Sequence, residues 1–203
     1  MTRQIADTLS NNGHDYDIIE VEGGELYRPL DSWNVCPMST ACARGFYGQY
    51  HVSAESYALT LTKLTVRTTD NVYPPLDGVH AVAQGLSLTT GEAATMEEEN
   101  VGVLFATYVG LQIPMSHFTG RMLVGCKFLP QIDTFDATSY EHVMELHVIQ
   151  GRMTNAINVS QDVATRRLHN QTGSHSYRPY SWTYDRYLQE KEAGDISEND
   201  DDL

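Results

Sequence analysis

Two short stretches carry the residue types from which chemistry is built. In "TACARGFYGQY", residues 40–50, Cys42 and Arg44 stand at the head of an apolar, aromatic run. A nearby guanidinium lowers a cysteine's pKa, so the pair would suit an anion site beside an activated thiol. The competing expectation is an internal ion pair next to a small buried cysteine, since free Cys commonly behaves as a core hydrophobe. In "YEHVMELHVI", residues 140–149, strand alternation sets Glu141, Val143, Glu145, His147 and Ile149 on one face and His142, Met144, Leu146 and Val148 on the other. Glu145 and His147 then form a candidate acid/base pair for a small hydrolase-like enzyme, with Cys42 as the other candidate nucleophile. The same charged side chains also suit an ordinary solvent-facing strand. No HExxH pattern is present and no third ligand is spaced to join the pair, so neither a metal nor another cofactor is expected.

A third group lies near the C-terminus. Tyr180, Trp182, Tyr184 and Tyr187 recur beside Arg178 and Arg186, and Tyr, Trp and Arg are the commonest interface anchors. Together with Arg44 they are the candidate binding residues. The alternative is that these aromatics pack back on the domain as a C-terminal arm.

Elements that would position these residues can be read from turn chemistry and alternation. Asn12-Gly13 sits between Leu9 and the strand-like Tyr16 to Val21, a strong hairpin signal. Residues 44–67 form a second hairpin, with a strand from Cys42 onward placing Cys42, Arg44, Phe46, Gly48, Tyr50 and Val52 on one face. In the returning strand Leu59, Leu61, Leu64 and Val66 break the two-residue period, which a β-bulge near Thr62 and Lys63 would restore. "VYPPLDGV" cannot be a central strand, because its prolines remove ladder donors. "TTGEAATMEEEN" reads as an exposed acidic loop, and Gln150-Gly151 turns the last hairpin. One helix is signalled near 161–170, with Ser160 as N-cap, Arg166, Arg167 and His169 placed to suit the dipole, and Gly173 as the stop. The expected fold is therefore α+β and β-rich: antiparallel hairpins forming a curved sheet or sandwich over residues 1–173, one C-terminal helix, and an aromatic then acidic, partly disordered tail from 174 to 203.

Thr40-Ala41-Cys42, Arg44-Gly45-Phe46, Pro74-Pro75-Leu76 with Gly78, and Phe118-Thr119-Gly120 together resemble a group of uncharacterised bacterial proteins with the motif order TACxRGF…PPLxG…FTG. The resemblance covers roughly residues 5–170 and implies a bacterial cytoplasmic setting, without implying a reaction.

Composition narrows the partners. Thirteen Lys and Arg stand against 27 Asp and Glu, a formal net charge of -14 among 203 residues. Nucleic acid and anionic membrane repel such a chain, whereas a basic protein attracts it. The first 13 residues lack the apolar core of a signal peptide, and no apolar stretch approaches the roughly 18 residues of a membrane span, so a cytoplasmic location is expected. Three scattered cysteines, none in a two-residue pair, read as reduced thiols. The function expected from these features is a non-enzymatic immunity or inhibitor protein for a toxin or nuclease. A hydrolase-like enzyme is the alternative, and a DNA mimic a third reading.

Overall fold

Two-residue turns in which both central residues have positive φ match the right-handed twist of the strands they join, and Asn-Gly or Asp-Gly supplies that geometry cheaply. Among the described residues such pairs stand at Asn12-Gly13 (φ 50° and 75°), Asp77-Gly78 (49° and 74°) and Gln150-Gly151 (48° and 71°). In the computed structural model, which describes residues 4–87, 93–94, 101–132, 136–172 and 177–193, the first turn joins β1 (Thr8–Asn11) to β2 (His14–Glu22). The second closes the proline segment, where Leu76 and Val79 form an isolated bridge and no strand develops. The third joins β9 (Tyr140–Ile149) to β10 (Arg152–Asn158).

The bulge expected in the middle of the domain is present. Strand β3 (Phe46–Val52) pairs with β4 (Leu59–Val66), and the register passes from Gln49↔Lys63 to Tyr50↔Leu61, skipping Thr62. That extra residue turns Leu59, Leu61, Leu64 and Val66 all inward, each with no exposed surface. The remaining strands are β5 (Val82–Ser87), β6 (Ala93–Ala94), β7 (Val101–Pro114) and β8 (Gly120–Phe128). Apart from Ala93 and Ala94, the acidic loop expected at 89–100 lies outside the described residues.

The ten described strands form one sheet in the order β10-β9-β8-β2-β1-β3-β4-β7-β5-β6. Its neighbours are antiparallel except β1 and β3, which run parallel. The sheet curls far enough for the 150–153 turn to reach the start of β4: Leu59 N–H donates to Gly151 O (2.7 Å) and Met153 N–H to Tyr57 O (2.8 Å). Inside the curl lies the main core, which includes Leu9, Tyr50, Leu61, Leu64, Met122 and Leu146. Trp33 from the preceding loop stacks on Tyr108 (5.6 Å), whose hydroxyl donates to Pro74 O (2.8 Å).

The opposite face carries the helices over Leu123, Ala137, Tyr140 and Val143. Helix α1 (Ser160–Thr172) lies where expected, but Ser160 is its first helical residue and its hydroxyl binds β9: Val143 N–H donates to it (3.0 Å) and it donates to Val143 O (3.3 Å). Arg167 does not serve the dipole either; it donates to Thr138 O (2.7 Å) and Tyr140 O (2.5 Å). The expected stop, Gly173, lies outside the described residues.

A second helix, α2 (Trp182–Ala193), stands where the sequence led us to expect a partly disordered tail. Its N-terminus is held from another element: Glu20 of β2 accepts from Trp182 N–H (3.1 Å), Thr183 N–H (2.9 Å) and the Thr183 hydroxyl (2.7 Å). Orphan N–H groups and the positive end of the helix dipole thus meet a carboxylate contributed from 162 residues away. The acidic end, 194–203, lies outside the described residues.

Candidate functional site

Strand β3 begins at Phe46, so Cys42 and Arg44 lie in the turn before it and do not extend its inward face. The reason is Gly45, at φ 78°: a Cβ there would stand 2.1 Å from Cys36 O, so the chain passes in a left-handed conformation against a neighbouring backbone. Gly48, Tyr50 and Val52 do share the buried face. Arg44 turns outward to a carboxylate on the segment leading into β1. Its two Nη atoms donate to Asp7 Oδ1 (2.6 Å) and Oδ2 (3.1 Å), and its Nε donates to Phe46 O (2.7 Å). Asp7 also accepts the Gly48 N–H (2.6 Å). The guanidinium lies 4.9 Å from the Phe46 ring centre.

Cys42 is 1% exposed beside Met38 and Phe105, and burial pushes its thiol pKa up despite the lowering influence of Gly45 N–H and Arg44. It is the reverse of an activated nucleophile, which needs a stabilised and accessible thiolate. Two clefts flank the Arg44–Asp7 pair. One, of about 630 Å³, runs toward Leu26 and Tyr27; the other, of about 560 Å³, runs toward Ile5 and Ile18.

The second candidate pair does assemble. His147 Nε2 and Glu145 Oε1 are 2.8 Å apart, on the helix-bearing face. The register that places Arg121 opposite His147, and Glu22 opposite Arg121, brings a hub of charge to the same place. Arg121 donates to Glu145 Oε1 (3.3 Å) and to Glu22, and its guanidinium lies 4.1 Å from the Trp182 ring centre. Arg186 of α2 also pairs with Glu22. Glu145 is therefore shared between a histidine and a structural arginine. Among the described residues no group of three His, Cys, Asp or Glu side chains is placed to hold a metal.

Of the aromatic anchors, Tyr180 and Trp182 pack against the domain's own Leu123 and Val143 cluster, the arm-like alternative. Tyr184 is half-buried in α2, its N–H donating to Ser181 Oγ (3.3 Å). Tyr187 also belongs to α2, but its side chain lies outside the described residues.

Sequence reasoning missed Glu20, Glu22 and Arg121, and it singled out Arg186 only as a neighbour of the aromatic anchors. One signal was available at Gly120. A Cβ on Gly120 would stand 2.0 Å from Glu22 O, and one on Gly23 would stand 2.4 Å from Thr119 O. The "FTG" triplet and the Gly23-Gly24 pair are thus where β2 and β8 come into unusually close contact, and Arg121 is the next residue. No protein-family model matches the chain, and no curated protein or solved structure matches it.

Proposed function

We propose that this chain is a non-enzymatic interaction protein whose acidic surface engages a basic protein, as an inhibitor or immunity protein for a toxin or nuclease would. The observation that supports this is how its cations are used. Arg44, Arg121, Arg166, Arg186 and Lys127 are each paired with a carboxylate of the same chain, while Arg67, Arg152 and Arg167 donate to backbone carbonyls. Exposed Asp15, Asp31, Glu55, Asp77 and Asp162 have no ion pair among the described residues. The described surface therefore presents unpaired carboxylates, on a chain whose full sequence carries a formal net charge of -14. Such a field accelerates encounter with a basic surface and selects against acidic ones.

The test begins with the immobilised full chain in cell extract at low salt, followed by reconstitution with the purified captured protein. Association should slow as salt rises from 0.1 M to 1 M, where the Debye length falls from about 10 Å to about 3 Å. An association rate indifferent to salt, or turnover of a substrate that His147→Gln abolishes, would overturn the proposal in favour of a different interface or the acid/base enzyme.

A further inference from the structure

The sharpest local exception to the acidic surface is a cleft of about 430 Å³ between α1 and the segment entering α2, lined by Asp162, Thr165, Arg166, His169, Arg178 and Tyr180. Two of its walls are fixed to each other by a side-chain amide bonded to main chain. Asn170 of α1 clamps Arg178 from both sides, its Nδ2 donating to Arg178 O (2.8 Å) and its Oδ1 accepting Arg178 N–H (3.1 Å). Arg166 donates to Pro179 O (3.1 Å) and leans on Asp185 at 3.6 Å, which leaves further guanidinium N–H groups unused. The segment 178–180 is therefore held against the helix, with its side chains directed by the clamp.

Of the four donors gathered there, only Arg166 has its polar atoms engaged within the described fold, by Pro179 O and Asp185. Neither the Arg178 guanidinium, the His169 ring nor the Tyr180 hydroxyl has a hydrogen-bond or ion-pair partner among the described residues. Burial, and then the charges of Asp162, Glu145 and Asp185, raise the Tyr180 pKa, so its phenol keeps its proton. Arg178 is exposed, Arg166 half-buried, and Asp162 is the one carboxylate of the lining. On a chain carrying -14, two arginines, a histidine and a phenol converging on one rigid cleft are not explained by solubility.

We propose that this cleft binds a phosphate monoester. A tetrahedral oxyanion has enough acceptor oxygens to engage Arg178, Arg166, His169 and Tyr180 together, and guanidinium–phosphate hydrogen bonds are among the stronger charge-assisted contacts. The ligand is held by side chains on two faces, which a planar carboxylate would use incompletely. Asp162 limits the affinity for any anion and favours a ligand that brings its own hydrogen-bond donor, as a monoester does in its singly protonated form.

The test is titration of the full chain by calorimetry and by NMR of the His169 ring, with phenyl phosphate, inorganic phosphate and acetate as probes. Saturable binding of phenyl phosphate is expected, with acetate weaker by about tenfold or more. Inorganic phosphate equal to phenyl phosphate would identify a free-anion site, and a clear preference for phenyl phosphate would identify an ester; either result supports the cleft. Arg178→Gln should weaken binding about tenfold without altering the melting temperature, because that guanidinium holds nothing in the fold. Asp162→Asn should tighten binding severalfold. Equal affinity of the wild type and Arg178→Gln, or the absence of saturation at millimolar probe, would overturn the inference.

Discussion

Arg44 and Arg121 answer the same physical problem in two ways. Each is a guanidinium beside an aromatic ring and a carboxylate at the sheet. Arg44 faces one partner, Asp7, which is itself fixed by the Gly48 N–H, and the whole arrangement lies within 42 residues of chain. Arg121 joins Glu22, Glu145 and Trp182, drawn from β2, β9 and α2. The first is a local brace and the second a hub between distant elements. A brace can be removed with its consequences confined to one turn, whereas loss of the hub takes from two carboxylates the cation they share and loosens the seat of a helix.

The largest effect should come from breaking that hub. Arg121→Met keeps apolar bulk but leaves Glu22 and Glu145 without their shared cation, a loss of about 2–3 kcal/mol. Arg44→Met leaves Asp7 its Gly48 contact and should lose about 1 kcal/mol. Urea unfolding of both variants measures the ranking, and amide exchange adds the location: Arg121→Met should hasten exchange across 182–193, while Arg44→Met should not. Equal losses, or unchanged exchange in α2, would erase the distinction between brace and hub.

The same contrast governs what could be read from the sequence. The Asn12-Gly13 and Gln150-Gly151 turns, the Thr62 bulge and α1 were legible because each depends on residues within a few positions of one another. So was the Glu145–His147 pairing, which needs only the alternation of one strand. Arg44 was placed on the wrong face because Gly45 was read as a strand residue, and its left-handed conformation becomes visible only with Cys36 O beside it. Helix α2 was missed for a related reason: its local signal is a lone Ser181 accepting the Tyr184 N–H, without the Glu of a capping box, and the carboxylate that holds its first N–H groups is Glu20, on another strand. Periodicity and propensity report neighbours along the chain, and this helix is held by neighbours in space.

Alkaline pH should act mainly through the buried thiol and phenols. Burial raises the pKa of Cys42 and Tyr50, and raises that of Tyr108 to about 12. In the unfolded chain the thiol ionises near 9.0 and the phenols near 10.0, while the folded groups retain their protons. The folded state thus binds protons more tightly, so stability is complete below the unfolded values and declines as pH climbs from about 9 toward 12. A loss of about 1 kcal/mol by pH 11 is expected from Tyr108. Urea midpoints at successive pH values should fall in that window, less steeply in Tyr108→Phe, and a midpoint that rises with pH would contradict the burial assigned to these groups.

The smallest effect is expected at His147, and it sharpens the hub by marking its edge. The ring is 40% exposed and its described hydrogen bond is to Glu145, which keeps Arg121 whether or not the histidine is present. Gln supplies a donor of similar reach, so His147→Gln should shift stability by no more than about 0.5 kcal/mol. Under the proposed function partner binding should likewise be unchanged, because that proposal rests on exposed carboxylates such as Asp15, Asp31 and Glu55 and not on His147. A hub that depended on His147 would show itself as faster amide exchange in α2, on the scale expected for Arg121→Met. That outcome would make the imidazole a member of the network, and His147 and Arg121 would then have to be treated as one coupled unit.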